Sequence, residues 1–487
     1  MAKEFIVAIE LGSSKMTGIA GQKNLDGSIT VLATVQENAE SCIRKGVVYN
    51  IDKTGQCLTH IITKLKNILK ADIAQVYVGV GGQSIRSMKN VIVKDFVTDT
   101  IVSQEMIDEL MDTNRNMSYP DQEILHAATQ EYKVDYQYQA DPVGIQCSRL
   151  EGNFLNILWR KNFYRNLNTC FDNAGIAIAE MYLAPLALAD IVLTDAEKRS
   201  GCILVDLGAE TTTVSVYYKN ILRHLAVIPL GGNNITKDIT SLQMDELDAE
   251  KMKLKYACAY TDNSAIDETL TYSIDKDRKI DSKTFIEIIE GRVQEIVENV
   301  WFQVPNEYSG KLLGGLILTG GGANMPNIEK AFRTFNNHIQ IEKIRIAKFV
   351  NTTIHSTDPL ITEKDGRLNT VLGLLAKGDM NCAGDEIRND LFSGIDQKPV
   401  NANNTDNRNT RNINETITTG IVPTAAEKKQ AEEDARKKKE AEDEAKRIAE
   451  EEEAKRIAEE KRKNSFTHKA MNNIKGFFKK MIEPEDE

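Results

Sequence analysis

From the N-terminus to about residue 379, short apolar runs alternate with segments of helical periodicity. Residues 6–9, 76–80, 203–205 and 316–318 are rich in β-branched side chains and contain almost no polar position. Such runs are typical of strands that are covered on both faces, and the helical segments between them supply the cover. The pattern predicts an α/β protein with largely buried sheets.

The pattern changes sharply after about residue 385. Residues 399–414 are rich in Asn and have no apolar period, so they cannot bury enough surface to offset chain entropy, and we expect disorder. Residues 425–463 are almost entirely Ala, Glu, Lys and Arg, and Ile448 and Ile457 lie nine residues apart. This spacing makes no coiled-coil seam, which favours a single charged helix, with an unstructured charged tether as the alternative.

The last segment, residues 464–487, has the pattern of an amphipathic helix. Its lysines, Lys469, Lys475, Lys479 and Lys480, flank or oppose the apolar face. A helix that packs into a protein core is the alternative, but a helix behind a long hydrophilic tether has no obvious core to join. We therefore expect it to adsorb to an anionic membrane surface. The apolar face consists of Phe466, Ala470, Ile474, Phe477, Phe478 and Met481.

Composition narrows the possible functions. The 487 residues exceed the roughly 250 to 300 at which a single core stops growing, so at least two domains are expected. A net charge of -11 argues against a nucleic-acid partner, which requires a basic face. The seven cysteines include no C-x-x-C pair and suit reduced, buried thiols in a reducing cytoplasm. No uninterrupted apolar span of about 20 residues occurs, so we expect any membrane contact to be made from one side.

A first candidate for phosphate chemistry follows the strand at residues 6–9. Glu10 at the strand end is suited to holding a hydrated Mg²⁺, and Gly12 lets backbone N–H groups approach a phosphate. Ser13 and Ser14 offer hydroxyl donors, and Lys15 offers a positive charge. Such a turn by itself is more often an ordinary hairpin.

Residues 203–213 repeat this arrangement with an apolar strand before the turn and a second strand after it. Two half-domains of this kind, facing each other across a cleft, would bring both turns to one phosphate chain. The repeat therefore favours a nucleotide site over two unrelated hairpins. The aligned pairs are Glu10 and Asp206, Gly12 and Gly208, and Thr17 and Thr213.

A third loop follows the strand at residues 316–318. Gly320, Gly321 and Gly322 would let a flat base or sugar lie against the backbone. Asn324 is suited to capping a following helix, and Pro326 to its first turn. A glycine run alone marks loops of many kinds, but the order of the three loops predicts one cleft.

The three loops resemble the phosphate 1, phosphate 2 and adenosine motifs of actin-like ATPases, and they are most similar to those of the FtsA family of bacterial cell-division proteins. The resemblance covers most of residues 1–384, including 229–236, 248–253 and 370–375. It implies an actin-like (ribonuclease H-like) duplicated α/β fold with two lobes around a nucleotide cleft. It implies Mg²⁺ at Glu10 and Asp206 through water, and ATP at Gly12, Ser13, Ser14, Lys15, Gly208, Thr211, Glu250, Lys253, Gly320, Gly321 and Gly322.

The stretch 85–165 resembles the inserted subdomain that distinguishes the FtsA family from other actin relatives. The resemblance implies a body of four subdomains, followed by the linker and the terminal helix. The expected boundaries are 1–84 with 166–199 and 357–384; 85–165; 200–233 with 311–356; 234–310; 385–463; and 464–487.

Three departures from the pattern of the actin-like superfamily bear on hydrolysis, although FtsA-like sequences also tolerate Glu at the first of these positions. Glu10 stands where most of the superfamily has Asp, and Ala209 and Glu210 replace two glycines, which adds bulk and charge beside the phosphate site. Ala184 occupies a position where relatives often carry a glutamate that activates water. We expect at most a slow ATPase, turning over below ~1 per second, in which ATP acts mainly as a conformational ligand for polymerisation.

The resemblance also implies partners and a place in the cell. They are FtsZ, whose C-terminal peptide would dock on about residues 234–308, further copies of the chain in filaments, other division proteins and the cytoplasmic face of the membrane at the division site. Arg292 is a candidate to pair with that peptide, although a solvated helix face explains it equally well. Alternatives within the superfamily are a small-molecule kinase, a pilus-assembly ATPase and a shape-determining relative.

Overall fold

A computed structural model describes residues 4–384 of the chain, except for residues 263, 265, 268, 275–277, 337 and 338. The linker 385–463 and the amphipathic segment 464–487 lie outside the described residues. The expected linker helix and the expected membrane helix therefore stay predictions. The second of these concerns Phe466, Ile474, Lys475, Phe477, Phe478, Lys479, Lys480 and Met481.

The N-terminal part of the chain builds a sheet with one large helix. In the first strand, every position except Glu10 carries a buried apolar side chain. The elements are β1 (Ile6–Leu11), β2 (Lys15–Lys23), β3 (Ile29–Asn38), β4 (Ile43–Arg44), β5 (Val47–Val48), α1 (Ile51–Leu69) and β6 (Gln75–Val80).

Local sequence signals set the limits of α1. The Asn50 side chain accepts a hydrogen bond from the Lys53 N–H at the start, and the helix ends at Lys70 in a left-handed conformation. Leu58, Ile61 and Leu65 recur at helical spacing and are fully buried. This face covers β2 and β3.

The next segment is dominated by long antiparallel strands. Its elements are β7 (Arg86–Ile101), α2 (Gln104–Arg115), β8 (Gln122–Val134), β9 (Gln137–Gln139) and β10 (Gln146–Arg160). β10 pairs with β7 on one side and with β8 on the other. A separate small core lies between these strands and α2, formed by Val102, Ile107, Leu110, Tyr132, Val134, Cys147, Leu150 and Phe154.

The chain then returns to the first sheet. The elements are α3 (Lys161–Ala174), β11 (Ala177–Leu183), α4 (Ala184–Val192) and α5 (Asp195–Ser200). α3 packs on α1, and β11 pairs in parallel with β6.

A second α/β unit follows. Its elements are β12 (Cys202–Leu207), β13 (Thr212–Tyr218), β14 (Ile221–Ile228), α6 (Gly232–Thr240), α7 (Glu246–Tyr256), β15 (Thr271–Ser273), β16 (Lys279–Asp281), α8 (Ser282–Phe302), β17 (Gly315–Thr319), α9 (Ile328–Thr334) and β18 (Ile344–Ile346). The described chain closes with β19 (Ile354–His355), α10 (Pro359–Thr362) and α11 (Asn369–Lys377).

Two main sheets organise these elements. The first has the order β11-β6-β1-β2-β3-β19, and we call it with its helices lobe I. The second has the order β18-β17-β12-β13-β14-β7-β10-β8-β9. Its first five strands with their helices form lobe II, and a bridge between Ala226 and Arg86 joins them to the inserted strands. Of the two largest apolar cores, one is built mainly by lobe I and continues into the inserted strands and one face of the lobe II sheet, and the other lies within lobe II.

The two lobes repeat one arrangement of strands. β1 is antiparallel to β2 and parallel to β6, and β12 is antiparallel to β13 and parallel to β17. Glu10 lies opposite Thr17 in the first hairpin, and Asp206 lies opposite Thr213 in the second. The sequence alignment of the two turns is therefore also a structural one.

No helix in the described part of the chain combines the length and the apolar character needed to cross a membrane.

Candidate functional site: a cleft between the lobes

A cavity of about 1060 Å³ opens where the two lobes face each other. Its size suits a nucleotide, since small-molecule sites commonly measure roughly 300 to 1,000 Å³. All thirteen residues that the sequence analysis assigned to ATP or Mg²⁺ line this one cavity. They are Glu10, Gly12, Ser13, Ser14, Lys15, Asp206, Gly208, Thr211, Glu250, Lys253, Gly320, Gly321 and Gly322.

We call the turns at residues 12–15 and 208–211 the first and second phosphate loops, after the ligand that the sequence predicts for them. Both are tight turns that exclude any side chain at their glycine. A Cβ on Gly12 would meet the Lys15 carbonyl oxygen at 2.6 Å, and one on Gly208 would meet the Thr211 carbonyl oxygen at 2.8 Å. The Gly208 N–H donates to that Thr211 oxygen at 2.9 Å. Both loops present bare backbone to the cavity, which is the surface a phosphate requires.

The third loop packs directly on the second. Gly320 has φ 84 and touches the phosphate-loop strand, because a Cβ there would lie 2.3 Å from Asp206 Oδ1 and 2.7 Å from the Leu207 carbonyl oxygen. Only glycine combines this backbone conformation with so close an approach. The third loop is thus placed by its contact with the carboxylate of the second.

One detail of the third loop differs from the expectation. Asn324 does not cap a helix, and Pro326 does not begin one. Residues Gly321–Asn324 form a 3₁₀ turn, and α9 begins at Ile328 after Asn327. The Asn324 side chain instead donates at 2.7 Å to the carbonyl oxygen of Asp365, which precedes α11. The irregular segment after Gly320 therefore continues to Asn327, further than the sequence indicates, because Asn324 bonds to the segment that leads back to lobe I.

Two carboxyl groups that line the cavity, those of Glu10 and Asp206, interact electrostatically. Burial and, to a smaller extent, the negative charge of Asp206 raise the pKa of Glu10 to about 8. A hydrogen bond from Thr370 has a weaker, opposite effect on this pKa. Burial raises the pKa of Asp206 to about 6. Both groups are therefore poorly compensated as anions, and a cation between them would relieve this.

This pair fits Mg²⁺ in its donor chemistry. Mg²⁺ prefers oxygen ligands and usually keeps several waters while using one or two carboxylates and substrate phosphates. Within the described residues, no group of three or more His, Cys, Asp or Glu side chains is placed to hold a metal. Two carboxylates suit an ion whose remaining ligands are water and phosphate oxygens, rather than an ion coordinated entirely by the protein.

The opposite wall of the cavity comes from α6 and α7. Lys253 is buried, and its Nζ donates to the Gly232 carbonyl oxygen at 3.0 Å and to Thr236 Oγ1 at 2.8 Å. The same Nζ lies 2.6 Å from a Glu250 carboxylate oxygen. Lys253 therefore connects Gly232, whose N–H donates to the Gly208 carbonyl oxygen of the second phosphate loop, to Glu250 on α7.

A contact that the sequence did not predict joins the two lobes beside the cavity. Residues 39–50, which we call the bridging loop, contain β4 and β5 and belong to lobe I. Their Gly46 N–H donates to Ser13 Oγ at 2.8 Å, and their Lys45 N–H donates to Glu210 Oε2 at 2.7 Å. The bridging loop thus holds both phosphate loops at once.

This contact changes the interpretation of Glu210. The sequence analysis placed its charge beside the phosphate site, but its carboxylate accepts from Lys45 and lies 3.9 Å from Lys237 Nζ. Glu210 is not among the residues that line the cavity. Its charge is directed at the bridging loop because the β4–β5 turn offers it a backbone N–H.

Replacing Glu210 by alanine is expected to accelerate nucleotide release about 5- to 10-fold, because one charge-assisted hydrogen bond between the lobes is lost. Stopped-flow displacement of a fluorescent ATP analogue measures this rate. Glu298→Ala removes the same type of side chain from an exposed position on α8 and should leave the rate unchanged. Equal release rates for both variants and the parent would contradict the role of the contact.

Several cavity residues were missing from the sequence analysis. Gly81 and Gly82 follow β6 in a Gly-Val-Gly-Gly run that was visible in the sequence but was not assigned. Thr370 lies in the segment 370–375, which resembles the family but suggested no role for this residue, and its side chain forms a hydrogen bond with the Glu10 carboxyl. Arg367, which lines the cavity from the lobe I side, has no motif around it that would have revealed it.

The structure also shows the positions and contacts of Ala184 and Arg292, two residues that the sequence analysis discussed. Ala184 lines the cavity at the first position of α4, so no carboxylate enters from that position. Arg292 on α8 is engaged by Asp238 through hydrogen bonds of 2.6 and 3.0 Å, and it also pairs with Glu295. Its role in binding a peptide remains a prediction.

Comparisons with known proteins cover both the lobes and the insert. A family model described as Cell division protein FtsA matches residues 203–359, and one described as the SHS2 domain inserted in FTSA matches residues 82–158. The second match coincides with strands β7 to β10 and α2, apart from the end of β10.

Individual relatives extend the similarity along the chain. The cell division protein FtsA of Porphyromonas gingivalis (strain ATCC BAA-308 / W83) is 31% identical over 409 residues, covering 82% of this chain and 84% of that protein. The cell division protein FtsA of Neisseria meningitidis serogroup B (strain ATCC BAA-335 / MC58) is 32% identical, with coverages of 67% and 80%.

The fold itself has solved counterparts. A PilM-PilN type IV pilus biogenesis complex superposes with a TM-score of 0.52 at 13% identity, covering 76% of this chain and 97% of that one. The prediction of an actin-like, duplicated α/β fold is confirmed for the described residues. With its lobes, its insert and its relatives all in agreement, the chain belongs to the FtsA family of cell-division proteins.

Proposed function

We propose that this chain is an ATP-binding, self-associating scaffold that anchors the FtsZ cell-division ring to the cytoplasmic face of the membrane and helps to recruit later division proteins. The observation that carries the nucleotide part is the meeting of three sequence-distant loops in one cavity that a carboxyl pair also lines. Family membership supports the division role.

In this proposal, the phosphates of ATP contact the loops at Gly12 and Gly208, and Mg²⁺ is held through water by Glu10 and Asp206. When bound, the ion neutralises phosphate charge between the lobes. The sugar and base lie between the glycine turn at Gly320 and the wall that carries Glu250 and Lys253. The residues of both lobes then share a single ligand.

ATP acts mainly as a conformational ligand. The cavity walls belong to different lobes, so a ligand that contacts both favours the closed arrangement by its differential affinity for it. Ala184 supplies no group able to accept a proton from water. The chain is therefore proposed to hydrolyse ATP slowly, and the closed, ATP-bound state to be the one that polymerises.

Attachment to the membrane is assigned to residues 464–487 on the basis of their sequence. One such helix binds reversibly, whereas a filament that carries many of them binds firmly through effective concentration. The FtsZ C-terminal peptide is proposed to dock on residues 234–308. If it pairs with Arg292, it must compete with the Asp238 carboxylate.

Filament formation on liposomes tests the proposal as a whole. The full chain with ATP, Mg²⁺ and vesicles containing phosphatidylglycerol should form filaments that recruit an FtsZ C-terminal peptide. The chain lacking residues 464–487 should bind ATP and peptide without reaching the vesicles. Absence of ATP binding by the full chain would refute the nucleotide part, and absence of peptide recruitment would refute the anchoring part.

Replacing Phe478 by glutamate should lower vesicle binding at least about tenfold, because a charge enters the apolar face where burial of an aromatic ring contributes roughly 1.5 to 3 kcal/mol. Co-sedimentation with phosphatidylglycerol vesicles measures the change. Asn472→Glu adds the same charge on the opposite side of the helical projection and should bind nearly as well as the parent. Equal losses for the two variants would point to net charge rather than to an apolar face.

A further inference from the structure

Two thiols meet where the bridging loop packs on α1. Cys42, in the bridging loop, and Cys57, on α1, have their sulfur atoms 4.0 Å apart. Cys42 is fully buried, whereas Cys57 is partly exposed. Sulfur atoms at this distance are in contact without being bonded, and a disulfide would bring them to about 2.05 Å.

The backbone around Cys42 is firmly held. Its N–H donates to the Ala39 carbonyl oxygen at 2.9 Å, and its own carbonyl oxygen accepts from the Tyr49 and Asn50 N–H groups at 2.8 and 3.1 Å. Asn50 is also the N-cap of α1. The backbone at Cys42 is therefore ordered beside the start of α1, and the two sulfur atoms must approach each other by a further ~2 Å to form a bond.

We propose that Cys42 and Cys57 form a reversible disulfide on exposure to a peroxide, and that this bond locks the bridging loop onto α1. The site is set by the proximity of the two sulfur atoms and by the access of solvent to one of them. The formation of the bond does not depend on the proposed function, whereas its effect on nucleotide release rests on it.

The chemistry needs only hydrogen peroxide as oxidant. The Cys57 thiolate attacks one peroxide oxygen, the O–O bond breaks, and Cys57 becomes a sulfenic acid with release of hydroxide. The Cys42 thiol gives its proton to hydroxide, and its sulfur then displaces the hydroxyl group from Cys57. The displaced hydroxide takes up the proton that the Cys57 thiol lost on forming its thiolate, so that two thiols and one peroxide yield one disulfide and two waters.

The burial of each thiol determines which of them reacts first with the peroxide. Burial, together with the neighbouring Cys57, raises the pKa of Cys42 to about 11, so Cys42 is a poor first nucleophile. A third thiol, Cys170, lies on the same side and is fully buried, with its Sγ 3.6 Å from the Ile51 carbonyl oxygen. Cys57 is therefore the thiol that meets the oxidant, and Cys42 is the one that resolves it.

The bond would act on the cavity through a short path. Cys42 lies three and four residues before Lys45 and Gly46, whose N–H groups hold Glu210 of lobe II and Ser13 of lobe I. Locking the loop restricts the opening motion in which these hydrogen bonds break. The oxidised protein should therefore open its cleft less often than the reduced one.

Peptide mapping of the full chain tests the site. The protein is treated with hydrogen peroxide, its free thiols are alkylated, and the digest is analysed without reduction. We expect a Cys42–Cys57 linkage that dithiothreitol reverses, that Cys57→Ser abolishes and that Cys170→Ser retains. A Cys42–Cys170 linkage, or Cys57 oxidised to a sulfinic acid without any linkage, would overturn the proposal.

Amide hydrogen exchange and nucleotide release test the consequence. Exchange at Lys45 and Gly46 should slow at least about tenfold on oxidation, and release of a fluorescent ATP analogue should slow with it. Unchanged exchange in the linked protein would overturn the locking. Slowed exchange in a protein that binds no nucleotide in either redox state would uphold the disulfide and refute the proposed function instead.

Discussion

Replacing Gly320 by alanine is expected to reduce ATP affinity at least about 100-fold and to lower the free energy of unfolding by about 1 to 3 kcal/mol. The new Cβ would lie 2.3 Å from Asp206 Oδ1, in a backbone conformation with φ 84. Relief of this contact must move either the third loop or the carboxyl that we assign to Mg²⁺. Calorimetric titration with ATP and denaturant unfolding measure the two effects.

Gly310→Ala provides the matched control. Gly310 is exposed, and a Cβ added there meets no atom within 4 Å, so both ATP affinity and stability should remain at parental values. Circular dichroism would establish that the Gly320 variant is folded. Parental ATP affinity in a folded Gly320→Ala protein would rule out the contact between the third loop and Asp206 as an organiser of the site.

Replacing Glu10 by glutamine should flatten the pH dependence of stability in the nucleotide-free protein. The folded state raises the pKa of Glu10 from 4.5 to about 8, so the unfolded chain ionises first as the pH increases. The stability due to this group is complete below about pH 4.5 and is lost as the pH rises through about 8. We expect the loss, roughly 2 to 4 kcal/mol after allowance for solvent, to be absent from the variant.

Unfolding experiments at pH 5, 7 and 9 without nucleotide measure this difference. Glu298→Gln alters an exposed carboxylate and should follow the parental curve. Binding of Mg²⁺–ATP to the parent near pH 7 should also release protons, because the ion favours the ionised form of Glu10. Parallel curves for parent and Glu10→Gln would show that Glu10 does not carry the pH dependence.

Local sequence patterns were sufficient for the elements that bear the site. The strands β1 and β12 are apolar throughout except at one acid, and the glycine that follows each is a local necessity of the turn. The alignment of Glu10 with Asp206 was correct to the residue, because the turns of the two hairpins have the same length. The helix after the third loop was placed too early, because the contact between Asn324 and Asp365 spans 41 residues.

The sequence alone determined that the protein is a duplicated α/β body with three glycine loops in a fixed order, since strand periodicity and turn glycines are properties of neighbouring residues. The tertiary structure decided which residues join the lobes. The direction of Glu210, the engagement of Arg292 and the meeting of Cys42 with Cys57 all depend on contacts between separate elements. The raised pKa of Glu10 likewise arises only when folding removes water and brings Asp206 near.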